Sequence, residues 1–262
     1  MSDSLKHRME IAAAAAWEAG KVTLRYFQTD LSVELKRDQT PVTIADKESE
    51  EALFSILLSE HPGDGFLGEE RGVWSGSSGY TWIVDPIDGT KSFIQGVPLY
   101  GVMVGLENQK GDPVVGAVCF PALGELIVAA RGEGCHWNSL RARVSQVAQL
   151  SQSCVVYTSP RNFASHGSLF ERLQGRVKIC RGWGDCYGHI LVATGRAEAM
   201  LDPVLSDWDC VALLPILEEA GGTFTDWSGN RTARGKSGIS TNGKVLTELM
   251  DLIENRPEAQ SG

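Results

Sequence analysis

The chain contains no run of about 18 apolar residues, the length a membrane-spanning helix needs. It has no excess of basic charge either: 33 Asp and Glu outweigh 24 Lys and Arg, for a formal net charge of −9. Non-specific nucleic-acid binding depends on neutralising phosphates with Lys and Arg, so this balance argues against it. A small phosphorylated partner stays open, because bound cations can invert the charge of a local site. The 6 cysteines form no C-x-x-C pair and are sparse for 262 residues. Reduced thiols in a cytoplasmic protein are therefore expected rather than a disulfide framework. The 5 histidines form no H-x-E or H-x-x-H pattern, and no G-x-S-x-G elbow or cysteine-nucleophile motif is present. Covalent catalysis is unsupported. Internal repeats, charge blocks and disordered linkers are also missing.

What is present is acid at the ends of apolar stretches. Trp82-Ile83-Val84 reads as a strand interior and runs into Asp85-Pro86-Ile87-Asp88-Gly89-Thr90. Pro86 cannot continue a ladder, so the chain is expected to turn there, aiming Asp85 and Asp88 at one point with the Ile87 carbonyl as a further oxygen. Mg²⁺ takes such oxygen ligands. Gly89 allows close backbone approach, and a helix starting near Thr90 offers free N–H groups to an anion. Two more acidic sites are Gly68-Glu69-Glu70 and Trp208-Asp209, and Asp46 follows Thr43-Ile44-Ala45.

Each acid also has a plainer reading. Asp85 and Asp88 suit a helix-capping turn, Asp209 a helix cap, and Asp46 the first turn of a helix, where the dipole favours a carboxylate. Glu69 and Glu70 suit a solvated loop, Asp185 a cap, Asp202 an Asp-Pro turn, and Thr90 an ordinary helix residue. Gathered in one pocket, however, these acids would repel one another without a cation.

Together these motifs resemble the inositol-monophosphatase-like family of metal-dependent, lithium-sensitive phosphatases. The resemblance runs from about residue 5 to about residue 250 and includes Glu219-Ala220-Gly221-Gly222. It implies an α/β fold, a layered α-β-α-β-α sandwich with mixed sheets. Residues 1–262 would form one domain, with halves at about 1–150 and 151–255 fused and the site between them. It implies hydrolysis of a phosphate monoester by a water molecule, with two Mg²⁺ ions and room for a third near Glu69. Metal ligands would be Glu69, Asp85, the Ile87 carbonyl, Asp88 and Asp209. Catalytic roles would fall to Asp46, Thr90 and Glu69, with Thr90 and Asp46 orienting the attacking water, and Glu70 would support them. Gly89 and Thr90 would cradle the phosphate, and Asp209 would border the substrate. By analogy with relatives, a homodimer is expected.

Within the family the wording is most similar to the histidinol-phosphate phosphatase branch of histidine biosynthesis. The stretches carrying this are 89–101, Trp183-Gly184-Asp185-Cys186-Tyr187-Gly188 and Asp202-Pro203. Inositol monophosphatases usually have Thr-Asn-Phe where this chain has Lys91-Ser92-Phe93, and a small neutral residue at Asp185. Histidinol phosphate carries an ammonium and an imidazole, which Asp185 and Asp202 would complement. The alternatives are an inositol monophosphatase or another small-molecule phosphatase of the family. A regulatory protein that keeps the phosphatase fold is a reading of a different class.

Helices are expected at 4–27, 44–59, 186–195 and 208–220, with Pro215 kinking the last and Gly221-Gly222 stopping it. The alanines at 12–16, flanked by Glu10 and Glu18, read as the middle of the first helix rather than a signal peptide. Strands are expected at 81–84, 100–106, 114–120 and 125–130, with a turn at 131–138. Shorter segments follow at 153–158, 167–174, 177–180 and 197–201, and the end of the chain, 256–262, is expected to fray.

Overall fold

Helix α1 (Leu5–Leu24) turns small side chains inward. Ala12, Ala15, Ala16 and Ala19 have no exposed surface, so its backbone lies close to the sheet it covers. Ser4 caps it by accepting the His7 N–H. α2 (Ile44–Glu60) opens with a capping box in which Asp46 accepts the Thr43 N–H at 2.8 Å. Both helices match the sequence expectation to within a few residues and pack side by side. The computed structural model describes residues 4–36 and 40–254; the fraying expected at 256–262 lies outside the described residues.

A short antiparallel ribbon, β1 (Glu34–Leu35) with β2 (Pro41–Val42), precedes α2. The large sheet contains β3 (Gly65–Gly68), β4 (Gly72–Trp74), β5 (Thr81–Asp88), β6 (Gly101–Glu107), β7 (Pro113–Phe120), β8 (Glu125–Ala130), β9 (Gly134–Trp137) and β10 (Leu140–Arg141). Their spatial order is β10-β9-β8-β7-β6-β5-β3-β4, antiparallel except for β3 beside β5. The smaller sheet has the order β12-β11-β13-β15-β14. It comprises β11 (Cys154–Tyr157), β12 (Ile179–Arg181), β13 (Ala199–Asp202), β14 (Thr223–Thr225) and β15 (Gly238–Thr241), with β11 parallel to both its neighbours. The remaining helices are α3 (Thr90–Ile94), α4 (Leu169–Arg176), α5 (Asp185–Ala193), α6 (Asp207–Cys210), α7 (Leu213–Glu219) and α8 (Leu246–Ile253).

The alternation of side chains along the central strands explains the layering. Val102, Val104 and Leu106 of β6 and Val115, Ala117 and Cys119 of β7 face α1 and α2. Met103, Val118 and Phe120 point the other way, into a core shared with α5 and α7. Beyond α5 and α7 lies the smaller sheet, whose far face packs on α4 and α8. The result is the expected α-β-α-β-α sandwich with mixed sheets.

Three local expectations are corrected. At Pro86 the chain does not turn away. β5 continues to Asp88 through a bulge, because pairing jumps from Asp85↔Met103 to Asp88↔Gly101 and leaves Pro86 and Ile87 opposite one residue. A bulge needs no ladder N–H, so proline fits there. The segment 131–138 is a turn only at its start; Gly134–Trp137 pairs with β8, its buried Cys135 continuing the core. The helix expected over 208–220 is two segments. Pro215 lacks the N–H that would bond Val211, and the break falls at Val211 and Ala212, just ahead of the first turn of α7.

Candidate active site

β5 delivers two acids around its bulge. The Ile87 N–H donates to Asp85 Oδ1 at 2.9 Å, and the Ile87 carbonyl accepts the Thr90 hydroxyl at 3.0 Å. Gly89 follows at φ 83°, where a Cβ would lie 3.1 Å from the Leu99 carbonyl.

Asp209 comes from the other end of the chain. Gly105 and Gly116 of the large sheet face the break between α6 and α7. A Cβ on Gly116 would sit 2.0 Å from the Ala212 carbonyl oxygen. These glycines let α6 settle against β5 and β6. Asp209 then completes a capping box, its Oδ2 accepting the Ser206 N–H at 2.7 Å. One carboxylate oxygen each from Asp85, Asp88 and Asp209 converge within 4.8 Å.

A cleft of about 300 Å³ opens over this cluster. Among its lining are Glu69, Asp85, Ile87, Asp88, Gly89, Thr90, Asp185, Asp202, Trp208 and Asp209. Glu69 lines it from the turn after β3, held by Lys36 Nζ at 2.6 Å; the same ammonium meets Glu70 at 2.5 Å. Asp46 is 1% exposed and does not line the cleft. Its Oδ2 accepts both the N–H and the hydroxyl of Thr43, and the Thr90 hydroxyl goes to Ile87 instead. The expected contact between Asp46 and Thr90 is thus not made as a hydrogen bond.

The acids raise one another's affinity for protons. Burial, then Glu69, Asp88 and Asp209, push Asp85 well up. Burial, then Asp185 and Asp209, do the same to Asp88. Asp209 is pushed up to about 7, chiefly by burial with Glu69 adding to it and the Ser206 bond opposing it. Burial also lifts Asp46 and Asp202 to about 6, with the nearby Glu70 and Asp185 respectively contributing. Six carboxylates share a lining in which Lys91 is the lone lysine or arginine among the described residues. Oxygen donors that converge, repel one another and include no thiol or imidazole fit a hard divalent cation.

Several residues of the site were not visible to sequence reasoning. Glu50, 2% exposed, accepts the N–H groups of Glu70 at 2.8 Å and Arg71 at 2.6 Å and so fixes the turn carrying Glu69. A signal existed: Glu50 lies on the same helical stripe as Asp46, Leu53 and Leu57. Lys36, Thr158 and Asn162 had no such signal.

A family model for the inositol monophosphatase family matches residues 4–260. A histidinol-phosphatase of Chlorobaculum parvum is 45% identical over 94% of this chain and 96% of its own length. An inositol-1-monophosphatase of Mesorhizobium japonicum is 33% identical over 95% of this chain and 96% of its own. The crystal structure of the extragenic suppressor protein suhB from Bartonella henselae superposes with a TM-score of 0.88 at 30% identity, covering 95% of this chain and 99% of that one.

Proposed function

The chain belongs to the inositol monophosphatase family and is a phosphoric monoester hydrolase, and from that premise we propose that it hydrolyses L-histidinol phosphate to L-histidinol and phosphate with Mg²⁺. The observation that carries the choice of substrate is the pair Asp185 and Asp202. Both line the cleft, and neither belongs to the convergent group of Asp85, Asp88 and Asp209. Two carboxylates beyond those needed for a cation complement a substrate bearing an ammonium and an imidazole. Inositol phosphate offers only hydroxyls.

Asp85, Asp88 and Asp209, with Glu69 and the Ile87 carbonyl, would hold the ions. A divalent cation so held supplies Lewis acidity, making water a stronger nucleophile and neutralising charge on the departing oxygen. Thr90, on the cleft wall beside Ile87, orients the attacking water. Asp46 is the proposed proton acceptor behind it: its value of about 6 suits a base near neutrality, and the oxygen not engaged by Thr43 is the one that would serve. Gly89 and Thr90 border the phosphate. The core shared by the large sheet, α5 and α7 supports treating residues 1–262 as one unit with its site between two halves.

The test is phosphate release by the purified protein with Mg²⁺ on L-histidinol phosphate, myo-inositol 1-phosphate, fructose 1,6-bisphosphate and adenosine 3′,5′-bisphosphate. A kcat/KM for histidinol phosphate about a hundredfold above the others, about 2.7 kcal/mol of transition-state preference, is expected. Preference for inositol phosphate would overturn the substrate and leave the metal chemistry. No hydrolysis of any of them would favour a regulatory role for the retained fold.

A further inference from the structure

Strand β11 ends at Tyr157, between β12 and β13, and Thr158 is the next residue. Its hydroxyl accepts the Asp185 N–H at 2.9 Å and donates to Asp202 Oδ2. The polarity is fixed, because a backbone N–H can only donate and the single hydroxyl proton is left for the carboxylate. One side chain therefore ties together the two acids that the cleft has beyond its convergent group.

Three further features show that this link is built in. Asp185 stands at φ 52°, in the left-handed region that disfavours a residue with a Cβ. Its N–H bond to Thr158 helps hold it there. Gly184, immediately before, has no room for a side chain: a Cβ would fall 2.2 Å from Thr158 Cα. Asp202 is 2% exposed, and its other partners, Asn162 at 3.3 Å and the Val204 N–H at 3.5 Å, are weakly placed.

We propose that Thr158 is a specificity-positioning residue, setting the separation and orientation of Asp185 and Asp202 for a phosphate ester whose organic part carries two basic nitrogens. This rests on the substrate reading above. Thr158 makes no hydrogen bond to Asp85, Asp88 or Asp209, so its loss should alter discrimination rather than the hydrolytic chemistry common to all substrates.

The experiment compares kcat/KM for L-histidinol phosphate with that for β-glycerophosphate, an ester with an uncharged organic part, in the wild type, T158V and T158S. T158V removes the donor and the acceptor at constant shape; T158S keeps both. The ratio of the two kcat/KM values should fall at least about tenfold in T158V and stay within about threefold in T158S. A general structural defect would lower both substrates together and leave the ratio unchanged, and that result overturns the proposal. Thr158→Ala removes the same hydroxyl and takes the place of T158V should that variant not fold. If the wild type shows no preference for histidinol phosphate, the substrate reading fails separately. Positioning is then judged from hydrogen exchange at the Asp185 amide, expected at least about tenfold faster in T158V than in T158S; equal exchange overturns it.

Discussion

The backbone N–H of Cys186 donates to the carboxylate of Asp88, 98 residues earlier in the chain. The Cys186 side chain rests in space left by Gly101, the ladder partner of Asp88. A strand of the large sheet that bears an acid of the cluster is thus fixed to the helix whose first residue is Asp185. One junction thus ties the acid cluster to the helix that carries Asp185.

Asp88→Asn keeps an oxygen that can accept the Cys186 N–H but removes a charge. Turnover should fall at least about a thousandfold, about 4 kcal/mol, while the fold persists. Without metal, the variant should be at least as stable as the wild type, because burial and repulsion by Asp185 and Asp209 weigh on the Asp88 charge. Phosphate release and thermal unfolding in EDTA measure the two halves of this expectation; near-normal turnover would remove Asp88 from the metal site.

The raised carboxyls give the metal-free protein an inverted pH dependence. Asp209 at about 7 and Asp46 and Asp202 at about 6 lie above the value near 4 of an unfolded chain. Between those limits the folded chain binds more protons than the unfolded one, so these groups lower stability as pH rises from about 4 to about 7. A divalent cation favours the ionised acids and opposes that loss. In EDTA the Tm should fall between about pH 5 and pH 7.5, and the increase in Tm on adding Mg²⁺ should grow over the same interval. Calorimetry that found the Mg²⁺ effect independent of pH would contradict the linkage.

Asp185→Asn should raise KM for L-histidinol phosphate about tenfold and for myo-inositol 1-phosphate less than about twofold, because only the first substrate presents a cation to the lost charge. Steady-state kinetics on both substrates decides it, and equal effects would leave Asp185 without a role in reading charge.

Gly116→Ala drives a methyl to within 2.0 Å of the Ala212 carbonyl oxygen. The clash is with backbone, so the α6–α7 break must lift from the sheet, at about 1–3 kcal/mol or more. Asp209 rides on that segment. The Mg²⁺ concentration for half-maximal activity should rise alongside the loss of stability in urea, whereas a destabilised variant with normal Mg²⁺ dependence would separate Gly116 from the site.

The candidate site was legible where chemistry is local. Asp85 and Asp88 flank a proline at the end of an apolar strand, and Asp209 opens a helix; short-range pattern suffices to mark both. Asp46 was marked too, but its surroundings were not: the capping box with Thr43 takes one of its oxygens, and only the packed helix shows that it is buried outside the cleft lining. Pro86 shows the same limit. Its ring forbids a ladder bond, which sequence reading turns into a change of direction; pairing with β6 absorbs it instead as a bulge.

By itself the sequence determined the acids, their order, the alternation that buries both faces of β6 and β7, and the family to which those motifs point. All of these follow from residue type and spacing along the chain. Tertiary structure alone decided which acids converge, that Lys36 and Glu50 hold the Glu69 turn, and that Thr158 joins Asp185 to Asp202. Those relationships connect residues tens of positions apart. Two of them also need a close approach of two backbones, Asp209 through Gly116 and Thr158 through Gly184, that no local pattern encodes.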